Sequence, residues 1–124
     1  GTPINKKITV EDVFNNVPTW LGFNSTSQAI TGDGSTSSAI NVTTPVTEVN
    51  ATSAAAPCTL ADGANGQIKT IINVSTSGTN VVTITPTNLR GYTNILLNAP
   101  GETVSCIFKN SNWNILAGNG YTTS

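Results

Sequence analysis

The chain has 124 residues, a net charge of −1, only 9% charged side chains, no histidine and two cysteines. That length is one domain with room for a two-layer core, and a chain without histidine lacks the usual general base and the commonest metal ligand. Disordered chains pair low hydrophobicity with high net charge. Here the valines and isoleucines come in runs, so the composition reads as a folded β-protein with hydroxyl and amide outer faces.

Residues 1–23 read as an N-terminal arm unlike the rest. Thr9 can cap a helix, with Asp12 reaching back to it three residues later. Val10, Val13, Phe14 and Val17 follow at i, i+3, i+4 and i+7, one face of a short helix that Pro18 ends. Trp20, Leu21 and Phe23 then form a dense apolar patch. Two readings stand: the segment plugs one end of the β-core, or it docks on another subunit or on a shell. In the second, the partner-binding residues are Lys6, Lys7, Val10, Val13 and Phe14, the lysines adding weak exposed ion pairs.

From residue 24 to 124 the pattern is β throughout. Asp33-Gly34, Asp62-Gly63, Asn65-Gly66, Ser77-Gly78, Arg90-Gly91, Pro100-Gly101 and Asn110 to Asn112 are turn signals. Between them, strands are predicted at 38–43, 45–51, 57–60, 67–75, 80–85, 93–98, 103–109 and 113–117. Alternation puts Ile68, Thr70, Ile72 and Val74 on one face and Gln67, Lys69 and Asn73 on the other. The expected core is Leu60, Ile68, Ile72, Val104, Phe108, Trp113 and Ile115. The fold class is all-β: an antiparallel β-sandwich or jelly-roll-like domain of about eight short strands, with a small barrel as the other option. Cys58 and Cys106 share the parity of core neighbours and read as free buried thiols. Should their strands adjoin, a bridge is the alternative, adding roughly 4 kcal/mol by the chain-entropy account.

Several function classes fall away. The five basic residues are scattered, where nucleic acid needs a clustered basic face. No apolar run approaches the length that spans a bilayer, and no charged segment followed by an apolar one reads as a signal peptide. Asp62 to Gly66 lacks the EF-hand spacing and its terminal glutamate, so it reads as a hairpin turn and not a calcium loop. The sequons at Asn24, Asn41, Asn50 and Asn73 arise readily in so Ser/Thr/Asn-rich a chain. Asp33, Asp62 and Glu102 sit beside turn glycines, where local hydrogen bonding accounts for them. No enzyme, metal or cofactor is expected.

One block is more specific. Thr59, Leu60, Ala61, Asp62, Gly63, Gly66, Gln67, Lys69 and Ile71 make an opening, Pro86, Thr87, Asn88, Leu89 and Gly91 a middle, and Trp113, Ile115, Gly118, Asn119 and Gly120 a close. This block resembles the virion surface β-modules of tailed bacteriophages and related viruses, of the capsid-decoration and head- or tail-fibre type. The resemblance implies a structural virion protein on a capsid or fibre surface. It would be a homotrimer bound to the major capsid protein or another shell protein, without nucleic acid or membrane partners. The alternative is a receptor-binding or carbohydrate-binding module of a fibre or spike. Its ligand-facing aromatics would be Tyr92 and Tyr121, because Trp113 has core parity and Trp20 lies in the apolar patch.

Overall fold

Strong alternation of β-branched residues with polar ones gives ten strands among the residues that the computed structural model describes, 9–10 and 26–124. They are β1 (Gln28–Gly32), β2 (Ser38–Ile40), β3 (Val46–Ala51), β4 (Ala55–Leu60), β5 (Ile68–Asn73), β6 (Val81–Pro86), β7 (Ile95–Leu97), β8 (Thr103–Lys109), β9 (Asn112–Asn119) and β10 (Thr122–Thr123). The eight expected strands correspond to β2 through β9, and β1 and β10 are additional. The expected arm helix, with Lys6, Lys7, Val13 and Phe14, lies outside the described residues. Val10 is described and exposed.

The strands form two five-stranded sheets, ordered β1-β3-β5-β8-β9 and β10-β7-β6-β4-β2, facing one another as a sandwich. The sandwich is as expected, but its sheets are mixed and not antiparallel throughout. From β1 to β6 the chain alternates between sheets, laying each strand parallel beside the one two places earlier. Gln28 pairs with Thr47, Val46 with Thr70, Ser38 with Cys58 and Ala55 with Val81. The first part is therefore a two-sheet coil, and antiparallel pairing begins only with β7 and β8. The Asp62 to Gly66 segment is corrected accordingly. It joins β4 in one sheet to β5 in the other and is a crossover, not a hairpin. Tight hairpin geometry does occur between β8 and β9. There Asn110 and Ser111 both have positive φ, 52° and 60°, the conformation a two-residue type I′ loop requires.

Both sheets contribute to one core that includes Ile40, Val49, Leu60, Ile71, Ile84, Leu97, Val104, Phe108 and Trp113. Cys58 and Cys106 are buried free thiols, on β4 and β8 in opposite sheets. Loss of hydration pushes them up to about 11 and about 12, so both are neutral and act as small apolar fillers.

The expected parity of β5 is overturned. Gln67, Lys69, Ile71 and Asn73 point inward and are fully or almost fully buried, whereas Ile68 is 44% exposed and Ile72 half-buried. Ile115 packs against the core without being fully buried. The inversion follows from the coil. Each crossover exposes main-chain groups at a sandwich end, and buried peptide groups left unpaired are costly. The inward polar side chains of β5 satisfy them. Lys69 Nζ donates to Thr44 O (2.8 Å), Thr44 Oγ1 (3.1 Å) and Asn41 Oδ1 (3.3 Å). Gln67 Nε2 donates to Val42 O at 2.8 Å. At the other end Asn73 Nδ2 donates to Asn80 O and Leu97 O, while its Oδ1 accepts from the amide and hydroxyl of Ser75. Lys69 thus faces three neutral oxygens, and burial draws its ammonium down to about 8.

Candidate functional site

The three parts of the sequence block converge on one residue. Trp113, fully buried, donates from Nε1 to Ala61 O at 2.9 Å and meets Phe108 edge-on with ring centroids 5.2 Å apart. Its backbone amide donates to Asn88 O (2.9 Å) and its carbonyl accepts from Arg90 N (3.0 Å). Gly63 lies flat against the indole: a Cβ there would come within 2.9 Å of the ring and 2.5 Å of Gln67 Oε1. That Oε1 accepts from Ala64 N at 2.9 Å, and the Asp62 carboxylate accepts both bonds of Asn88 Nδ2 (2.8 and 3.1 Å). Opening, middle and close are therefore a scaffold that fixes one tryptophan. Asp62 is committed to holding the middle segment, a structural role.

What this scaffold presents is an open groove of about 370 Å³ on the side where β9 and β10, the final strands of the two sheets, lie. Arg90, Tyr92, Asn114, Ile115, Tyr121 and Thr123 line it. The β6–β7 connection that carries Arg90 and Tyr92 is tied at both ends. Thr87 N donates to Leu60 O, Arg90 N to Trp113 O, and Thr93 N and Asn94 N to Ser124 O. Arg90 Nε donates to Asn114 Oδ1 at 2.7 Å, and Asn114 Nδ2 donates to Asn112 O at 2.9 Å, which fixes the amide and so aims the guanidinium. Tyr121 is held against Gly118, where a Cβ would lie 2.6 Å from its ring.

The structure thus brings together Tyr92, 52% exposed, and the half-buried Tyr121, the two aromatics proposed as ligand-facing. Arg90, Asn114, Ile115 and Thr123 were not expected there. Arg90 belongs to a turn signal and Thr123 follows the last motif glycine, so each reads as a loop residue until the edge strands are placed. Among the described residues no cluster of three acidic, cysteine or histidine side chains is placed to hold a metal ion. The groove offers aromatic faces, a guanidinium and hydroxyls, which suit binding. No known family model matches the chain, and no curated protein is similar to it.

Proposed function

We propose that the protein is a structural module of a virion surface, of the capsid-decoration type, which assembles with copies of itself and binds a viral shell protein. The observation that supports this most is the outward face of the β1-β3-β5-β8-β9 sheet. Ile68 sits opposite Ile107 across β5 and β8, and Val46 and Ile72 share that face, all exposed or half-buried. Hydroxyls of Thr70 and Ser105, bonded to each other at 2.8 Å, lie between them. An aliphatic and hydroxyl surface with Glu48 and Lys109 as its strand-borne charges is suited to a second copy of itself, because neither side must desolvate many ions. The resemblance to virion surface modules supports the setting, and trimeric assembly is what that resemblance implies. That motif residues such as Gly63, Asn88 and Trp113 are committed to holding the scaffold supports a structural role.

The arm supplies the attachment in this reading, through Lys6, Lys7, Val10, Val13 and Phe14. A pull-down of the full chain on the parent particle, beside a chain starting at Pro18, tests it. The full chain should co-sediment with particles and the shortened one should not. Equal binding by both removes the arm from the attachment, and no binding by either removes the shell partner.

A further inference from the structure

The groove between β9 and β10 has a chemistry that assembly does not use. We propose that it binds an acidic saccharide, with the pyranose ring against Tyr92 and Tyr121 and the carboxylate on Arg90. Four features carry this. The groove's volume of about 370 Å³ is at the small end of the roughly 300–1,000 Å³ of ligand pockets, suited to one or two sugar rings. Two tyrosines line it, the kind of side chain that stacks on the C–H side of a sugar, and Gly118 lies close against the Tyr121 ring. Among the described residues the hydroxyls of Tyr92, Tyr121 and Thr123 have no hydrogen-bond partner within the chain, so they are open to a hydroxyl-rich ligand. Finally, Arg90 is aimed by an uncharged partner, Asn114, and its remaining N–H donors are free to take a carboxylate in a fork. An inorganic anion uses only the last feature, and a flat aromatic ligand leaves the hydroxyls unanswered. A sugar acid uses all four.

The groove borders the assembly face at β9, where Asn114 pairs with Ile107, but Arg90, Tyr92 and Tyr121 come from the β6–β7 connection and the segment after β9 and not from β3, β5 or β8. The test is a titration of the ¹⁵N-labelled full chain with D-glucuronate, D-glucose and acetate, followed by amide shifts. Glucuronate should move the amides of Arg90, Tyr92, Ile115, Tyr121 and Thr123, and should bind about tenfold more tightly than glucose, the worth of one charge-assisted hydrogen bond. Arg90→Gln should abolish that preference while leaving the melting temperature unchanged, and Tyr92→Ala should weaken both sugars. Acetate matching glucuronate would reduce the groove to an anion site and overturn the proposal. So would shifts confined to other residues, or an Arg90→Gln variant that keeps the full preference.

Discussion

Trp113 shows how much one residue can organise. Its ring closes the core, its Nε1 secures the β4–β5 crossover, and its main chain carries the β6–β7 connection. Trp113→Ala should cost about 3–5 kcal/mol and leave a chain that no longer melts cooperatively. Gly63→Ala introduces a methyl where the indole and Gln67 already touch, and should cost about 1–3 kcal/mol in urea denaturation. Retention of full stability in either would place the indole elsewhere. Two kinds of buried titrating group act in opposite directions. Lys69 falls to about 8 from 10.5, so above pH 8 the unfolded chain holds its proton more tightly than the native one and stability rises with pH. Cys58 and Cys106 rise to about 11 and about 12 from 9.0, so above pH 9 the unfolded chain releases protons that the native one keeps and stability falls. Urea midpoints should therefore climb from pH 8 towards 9, with the thiols opposing any further climb. Lys69→Met should remove the climb, and the double Cys58→Ala, Cys106→Ala variant should extend it. A Lys69→Met profile that climbs as steeply as the parent's contradicts this assignment.

At the scale of elements, β5 is the instructive strand. Ile71→Ala should cost about 2–5 kcal/mol, whereas Ile68→Ser, measured at a concentration low enough to keep single chains, should stay within about 0.5 kcal/mol. The reverse ranking in denaturant titrations would restore the parity that alternation predicted. That alternation was ambiguous because Ile68, Ile71 and Ile72 put aliphatic side chains on both faces, and hydrophobicity does not reveal that Lys69 and Asn73 are needed inside by crossover carbonyls. Strand positions were legible for β2 through β9, since turn residues punctuate them. Pairing was not: a turn signal between two strands looks the same whether the chain folds back in one sheet or crosses to the other. The short β1 and β10 lacked a hydrophobic run to mark them. Of the groove, Tyr92 and Tyr121 were legible by elimination, while Arg90 and Asn114 became neighbours only through the pairing of β8 with β9 and the bridge from Leu89 to Trp113. The β8–β9 hairpin offers a simple check on local geometry. Ser111, at φ 60°, should gain stability on change to Gly, by up to about 1 kcal/mol in thermal melts. Loss of stability would mean that the loop is not of the type I′ form.

The molecule as a whole separates its surfaces by task. A parallel coil provides a two-sheet body, the β6–β7 connection and the closing strands β9 and β10 line the groove at one side, and the outer face of the β1-β3-β5-β8-β9 sheet is largely aliphatic and hydroxyl. Among the described residues the strands of that sheet place only Glu48 and Lys109 as charges on this face, of opposite sign, so little like-charge repulsion opposes a second copy. The association of copies through it is the central claim, and light scattering after gel filtration at micromolar concentration tests it most directly. The parent chain of 12.8 kDa should elute with the mass of an oligomer, a trimer under the proposed reading, and Ile68→Glu should elute as a folded single chain. A parent protein with the mass of one chain, or an Ile68→Glu variant that keeps the oligomer, would contradict it.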